Sequence, residues 1–242
     1  MPAGPVPHAT ELTGDPFAAF HAADPARPFV VAQLGQSLDG RIATVSGASK
    51  YINGEPALDH LHKIRAEVDA VVVGAGTIAA DDPQLTVRRV KGRSPARVVI
   101  DPAGRLRGPA KWLDTDGTPC LLVTREDAAS FAIPGVEQIR LPATDAGLSP
   151  QAIIDALFTR GFRKILIEGG AKTISTFLDA GCLDRLHLLI APIIIGSGRN
   201  GLDMKPIDDL AHALRPRTTF HVLGQNEILI DCDLRTTAGE PL

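Results

Sequence analysis

Lys164-Ile-Leu-Ile-Glu-Gly-Gly-Ala-Lys-Thr-Ile-Ser-Thr-Phe-Leu-Asp-Ala-Gly181 decides the fold class of this chain. It opens on a short apolar run of the kind that parallel sheets bury on both faces. Two glycines follow, then a helical pattern over residues 171–180 with Leu178 on its inner side. Gly181 sits where a helix stops. Strand, glycine turn and helix together form the repeating unit of an α/β protein.

The same unit recurs along the chain. Short apolar runs lie at residues 29–34, 68–73, 97–101 and 120–124, and helical spacing at 56–68 and 150–160. Towards the C-terminus, residues 183–195, 218–223 and 227–234 are strand-like. Gly224-Gln-Asn226 reads as a hairpin turn between the last two. The expected fold is therefore α/β, with a mixed, mostly parallel central sheet flanked by helices. Residues 1–27, rich in Pro and Ala, read as an N-terminal arm with a short helix near 17–22, and residues 28–242 as a single domain. The polar stretch 89–95 reads as a mobile loop.

Composition narrows the function. The chain has 242 residues, 44% of them apolar and 22% charged, with a net charge of −3. That balance is globular and argues against nucleic acid or a membrane surface as partner. The longest apolar run, Leu188 to Ile195, is broken by Pro192 and falls far short of the ~20 residues of a membrane helix. The first sixteen residues lack the basic and apolar regions of a secretory signal, so a cytoplasmic location is expected. The three cysteines form no CxxC, and neither a zinc deaminase motif nor a GxSxG elbow occurs; no metal is expected.

Three glycine segments follow apolar strands. Gly74-Ala-Gly-Thr-Ile-Ala79 fits GxGxxA, but Asp81-Asp82-Pro83 stops its helix after about one turn, too early for a standard Rossmann unit. Gly196-Ser-Gly-Arg-Asn-Gly201 leads into Leu-Asp-Met-Lys-Pro rather than a helix, and reads as a flexible surface loop. Glu168-Gly-Gly-Ala-Lys-Thr-Ile-Ser175 has two readings: a phosphate cradle at a helix start, or a glycine-assisted strand–helix turn. It is no Walker A loop, because Ala171 precedes Lys172 where Gly is needed. Asp81 and Glu168 share a crevice with that turn if their strands are neighbours. Arg65 and Arg88 are candidate anchors for a substrate phosphate.

Taken in order, Ser37-Leu-Asp-Gly-Arg-Ile-Ala43, Ser46-Gly-Ala-Ser-Lys-Tyr-Ile52, Arg65-Ala66, Gly76-Thr-Ile-Ala-Ala-Asp-Asp-Pro-Gln-Leu-Thr-Val-Arg88, Val99-Ile-Asp101, Ile167-Glu-Gly-Gly170 and Leu189-Ile-Ala-Pro192 resemble the pyrimidine reductases of riboflavin biosynthesis. The likeness is to the reductase half of the bifunctional deaminase–reductase. It implies a dihydrofolate-reductase-like fold, a homodimer and NADPH as cofactor. The implied reaction reduces the ribosylamino group of a 5-phosphoribosylaminopyrimidine to a ribitylamino group. By the same resemblance, Gly35, Tyr51, Thr77 and Asp81 contact NADPH, together with the turn Gly169, Gly170, Ala171, Lys172, Thr173, Ile174, Ser175 and Thr176. Ser49, Arg65, Leu85, Arg88 and Glu168 contact substrate, with Asp81 and Glu168 taken as catalytic. Gln33 stands where many relatives have Lys, and Tyr51 where Trp is frequent. Two other readings stay open: a reductase of a pterin or dihydrofolate on the same fold, and a non-catalytic nucleotide-binding protein.

Overall fold

The computed structural model describes residues 14–107, 109–114, 116–129, 133–145 and 147–235. Its strands are β1 Phe29–Ser37, β2 Arg41–Ala43, β3 Ala70–Gly74, β4 Ala96–Ile100, β5 Cys120–Arg125, β6 Val136–Leu141, β7 Ala143–Thr144, β8 Gly147–Leu148, β9 Lys164–Glu168, β10 Arg185–Ala191, β11 Arg199–Asn200, β12 Arg217–Leu223 and β13 Glu227–Asp233. Its α-helices are α1 Ala18–His21, α2 Glu55–Glu67, α3 Ala75–Asp81, α4 Pro150–Thr159 and α5 Ala171–Asp179.

Nine strands form one sheet in the order β12-β13-β10-β1-β9-β3-β4-β5-β6. From β10 to β6 every neighbouring pair is parallel. The β10–β13 and β12–β13 pairs are antiparallel. The sheet is thus mixed and mostly parallel, as the run of apolar segments predicts.

Two cores explain why the strands are so uniformly apolar. On one face Val30, Ala32, Val72, Val98 and Ile167 pack against Ile153 and Leu157 of α4 and Ile174 and Phe177 of α5. On the other, Val31, Val71, Val73, Val99 and Leu166 pack against Phe20, Ile64, Ile78 and Trp112. Successive residues of each strand feed opposite cores, so a central strand has no polar face. Each such side chain contributes about 1.5–3 kcal/mol when fully buried.

Helix α2 is pinned from across the sheet. The Gly54 and Ala57 N–H groups donate to the two Glu227 carboxylate oxygens at 2.8 and 3.3 Å. A carboxylate here satisfies leading N–H groups and meets the positive end of the helix dipole. Its far turn, which holds Arg65, thereby lies over β9.

Several expectations change. Residues 1–13 lie outside the described part, but residues 17–27 do not stand off as an arm. Phe20 is fully buried in the second core, and Phe17 packs against Phe20 and His60. Residues 89–95 are tied down rather than loose. Arg89 bonds Asp59 and Glu55 of α2, and the Ser94 hydroxyl accepts the Val87 N–H at 3.2 Å. Strand β6 was not expected: as the sheet edge it buries only Ile139, so no apolar run marks it. Helix α3 runs seven residues, nearly two turns rather than one. No helix among the described residues is long and apolar enough to cross a membrane.

Candidate active site

A cleft of about 1340 Å³ opens across the C-terminal ends of β1, β9, β3 and β4, where Gly35, Glu168, Gly74 and Ile100 line it. Ligands of open α/β sheets collect at this end. Ordinary small-molecule pockets hold roughly 300–1,000 Å³, so this one has room for two ligands together.

Its floor is made of interlocked glycine turns. The turn after β9 and the turn after β3 face each other through two threonines. Gly170 N–H donates to Thr77 Oγ1 at 3.3 Å. Gly169 has φ +124°, and a Cβ there would lie 2.8 Å from the same Oγ1. A Cβ on Gly74 would lie 2.7 Å from Thr173 Oγ1. Each glycine is therefore required by the hydroxyl of the opposite turn. The Thr173 and Ile174 N–H groups return to Gly170 O, which leaves the Ala171 and Lys172 N–H groups at the open start of α5. Both residues line the cleft, and this end of a helix attracts anions.

Glu168 forms one wall, and its position is set by α2. Arg65 donates from Nε to Glu168 Oε2 at 2.9 Å and from Nη2 to Oε1 at 2.6 Å. Its remaining terminal nitrogen, Nη1, donates to Thr86 O at 3.0 Å. One turn earlier on α2, His62 Nδ1 accepts the Arg88 N–H at 3.2 Å. Together Arg65 and His62 clamp the 83–88 loop against the helix. His62 is buried, and burial followed by the Arg65 charge pushes its pKa down to about 4, so the ring is neutral and able to accept.

The loops flanking the cleft hold unusual backbone. Among the described residues, Tyr51, Asp82 and Leu85 are the non-glycine residues with positive φ, at 70°, 41° and 61°. Such conformations persist where the surroundings enforce them, and they gather at binding sites. Leu85 is held by full burial, Asp82 by its side chain accepting the Lys111 N–H at 2.8 Å. Tyr51 is 93% exposed on the rim.

The structure brings Gly35, Ser49, Tyr51, Thr77, Asp81, Glu168, Gly169, Gly170, Ala171, Lys172, Thr173 and Thr176 to the cleft wall. It does not bring Arg65, Leu85, Arg88, Ile174 or Ser175 there. Ile174 and Leu85 are core side chains, and Ser175 Oγ accepts the Asp203 N–H at 2.8 Å. Arg65 is buried and spends its guanidinium on Glu168 and Thr86. Arg88 is exposed beside the clamp, and desolvation, then the Arg65 charge, lowers its pKa. Gly35 has its own cause: a Cβ would lie 2.1 Å from Asn53 Oδ1.

Sequence reading missed part of the wall. The 196–201 segment is no loose loop. Asp39 accepts the Ile195 and Gly196 N–H groups at 3.0 and 2.7 Å, and β11 pairs with β2. The Ser37 hydroxyl above all, and then these bonds, hold the Asp39 carboxyl down at about 2. Arg199, Asn200 and Asn53 so reach the cleft, as does Arg105 from the turn after β4. Two-residue strands leave no periodicity to read, though the Gly198 φ of +145° reflects a real constraint, the Ala43 backbone.

Comparison with known proteins adds a family match. The family model described as the RibD C-terminal domain matches residues 28–221. The Riboflavin biosynthesis protein RibD of Aquifex aeolicus is 35% identical over 176 residues, covering 71% of this chain and 48% of that protein. The chain thus spans about half the length of that relative. The 2,5-diamino-6-ribosylamino-4(3H)-pyrimidinone 5′-phosphate reductase of Methanothermobacter thermautotrophicus is 34% identical over 197 residues, covering 78% of this chain and 90% of that protein. Among solved structures, a diaminohydroxyphosphoribosylaminopyrimidine deaminase/5-amino-6-(5-phosphoribosylamino)uracil reductase from Thermotoga maritima superposes with a TM-score of 0.74 at 29% identity. It covers 90% of this chain and 59% of that one.

Proposed function

The chain belongs to the RibD C-terminal domain family, and from that premise we propose that it is an NADPH-dependent reductase of a 5-phosphoribosylaminopyrimidine. The product is the corresponding ribitylamino compound. The observation that carries this reading is the cleft itself: a glycine-lined helix start and a separate carboxylate wall, in a volume fit for a dinucleotide beside a second ligand. A bare nucleotide binder needs no such second wall.

The residues fit the cofactor. The Ala171 and Lys172 N–H groups and the Lys172 side chain suit a pyrophosphate at the start of α5. When bound, the reduced nicotinamide supplies the hydride. The chain's own residues do the rest. Opening the ribose ring gives an imine at C1′, and its reduction takes up one hydride and one proton. Glu168, fixed by Arg65, lines the site as a carboxylate near a carbon that is cationic before reduction. Asp81, exposed at the end of α3, orients substrate and cofactor.

A homodimer completes the proposal. Val222 and Ile228 on β12 and β13 are 68% and 38% exposed, and Ile194, Leu210 and Leu214 add 76%, 75% and 52%. Val222 and Ile228 lie opposite each other across the β12–β13 pair, and this exposed apolar pair at the sheet edge suits a second copy. Light scattering of the purified chain is expected to give twice the mass of one chain, and a monomer would remove this element.

The test of function is the loss of reduced-nicotinamide absorbance with the two phosphoribosylaminopyrimidines, deaminated and not. Turnover with one of them is expected, and it also assigns the substrate. Turnover of neither, with a dihydropterin accepted instead, overturns the reading.

A further inference from the structure

We infer that Asn53 reads the pyrimidine base, its side-chain carbonyl accepting an N–H of the 5-amino group, and that Glu227 is the positioning residue that sets which end of the Asn53 amide faces the cleft; this rests on the reductase reading above. A side-chain amide has a donor end and an acceptor end, and its partners fix which way it points. Asn53 Nδ2 donates to Glu227 Oε1 at 3.1 Å. A carboxylate only accepts, so this bond leaves the amide one orientation. Oδ1 then lies over Gly35, where a Cβ would collide with it, and no described residue donates to it. Asn53 and Gly35 both line the cleft. Glu227 does not line it, and is 4% exposed at the start of β13. Its carboxylate is held in place by the Gly54 and Ala57 N–H groups, and the turn before it packs on Pro56, 2.6 Å from where a Gly224 Cβ would lie.

The face of the sheet decides which ligand Oδ1 meets. Gln33 and Gly35 are two apart on β1 and share a face, and Gln33 pairs in register with Glu168. Helix α2 covers that face. Ala57 in its first turn packs on Leu189, the register partner of Gly35, and Arg65 in its last turn holds Glu168. Asn53 and Glu168 are thus two acceptors near opposite ends of one helix. Leu58 and Leu61, between them in sequence, line the cleft and offer an apolar surface to a flat ring. The cofactor phosphates belong to the start of α5, and Ile174 and Phe177 of that helix pack on the other face. Oδ1 therefore faces the second ligand. The two phosphoribosylaminopyrimidines, deaminated and not, differ at C2 and share the 5-amino group. An acceptor that serves either form meets the amine they share.

The test is calorimetric titration of two ribitylaminopyrimidine 5′-phosphates, one with a 5-amino and one with a 5-nitro group, into the full chain with NADP+ present. Asn53→Ala, Glu227→Gln and the two combined are the variants. The full chain is expected to favour the 5-amino compound, because a nitro group offers Oδ1 only further acceptors. Asn53→Ala is expected to weaken that compound by about threefold to tenfold, the worth of one neutral hydrogen bond, and to remove the preference. In Glu227→Gln the new amide still accepts through its oxygen, but it can also donate to Oδ1 and let Nδ2 face the cleft. The 5-amino compound is then expected to weaken by about tenfold and the 5-nitro compound to gain. Added to Asn53→Ala, Glu227→Gln is expected to change neither compound further. NADPH, followed by nucleotide fluorescence, is expected to keep its affinity throughout. A preference for the amine that survives Asn53→Ala overturns the inference. So does a Glu227→Gln loss that persists in the double variant or falls equally on NADPH, because Glu227 then only seats α2. If the full chain binds NADPH but neither pyrimidine, the substrate reading itself fails, and the inference with it.

Discussion

Arg65 grips Glu168 with two parallel bonds, at 2.9 and 2.6 Å, and the two side chains are only 5% and 14% exposed. With Nη1 on Thr86 O as well, every nitrogen of this guanidinium is engaged within the protein. Its work is to aim Glu168 and, through Thr86 O, to fix the loop that holds Leu85 in a strained conformation.

Arg65→Ala leaves a mostly buried carboxylate without its partner. Removing one member of a buried pair typically costs about 3–5 kcal/mol, and denaturant unfolding is expected to show a loss of that order. Arg65→Lys keeps the charge but not the two-bonded geometry. It is expected to keep most of the stability while lowering kcat more than it raises KM. A rise in KM alone would restore Arg65 to phosphate binding.

Asp81 presents the opposite case. It is exposed, lies at the last position of α3 and lines the cleft. Asp81→Asn is expected to leave the unfolding midpoint unchanged and to lower kcat by about a hundredfold or more, the range for a positioned acid or base. Unchanged turnover removes Asp81 from the mechanism.

Acid should unfold the protein through two buried histidines. His60, stacked on His187, is pushed down to about 3 by burial and then by His187; His62 is pushed down to about 4 by burial and then by Arg65. Both start from 6.5, so between 6.5 and these values the unfolded chain binds more protons than the folded one. Stability is expected to be whole above pH about 6.5 and to fall by several kcal/mol as pH drops towards 4. His62→Gln, whose amide oxygen can still accept the Arg88 N–H, is expected to flatten that slope. An unchanged slope in both His62→Gln and His60→Asn would assign acid sensitivity elsewhere.

Central strands were legible because both of their faces are buried, which writes an unbroken apolar run into residues 70–74 and 164–168. The glycine turns were legible because Gly169 and Gly74 answer to geometry that no other residue meets. What escaped was long-range. Nothing near Arg65 in sequence shows that Glu168 will occupy it, and nothing near Asn53 shows that Glu227 will orient it. The α2 cap comes from Glu227, at the far end of the chain. Local pattern names a residue's chemistry, while the partner that consumes it is set by the sheet order.

The interlocked turns make the sharpest test of the cofactor site. Gly169→Ala places a Cβ 2.8 Å from Thr77 Oγ1 at a φ of +124° that L-residues avoid. Either the turn after β9 shifts or Thr77 does, and in both cases the Gly170 N–H loses its acceptor. Thr77→Val removes that acceptor without adding bulk, a loss of about 0.5–1.5 kcal/mol for a neutral hydrogen bond. Dinucleotide affinity is expected to fall several-fold in Thr77→Val and further in Gly169→Ala. A Gly169→Ala/Thr77→Ala double variant, which removes the hydroxyl and puts no methyl in its place, should regain little over Gly169→Ala alone, because the backbone strain at φ +124° remains. Near-full recovery in the double variant would locate the whole effect in the Thr77 hydroxyl and leave the Gly169 conformation with no part in binding.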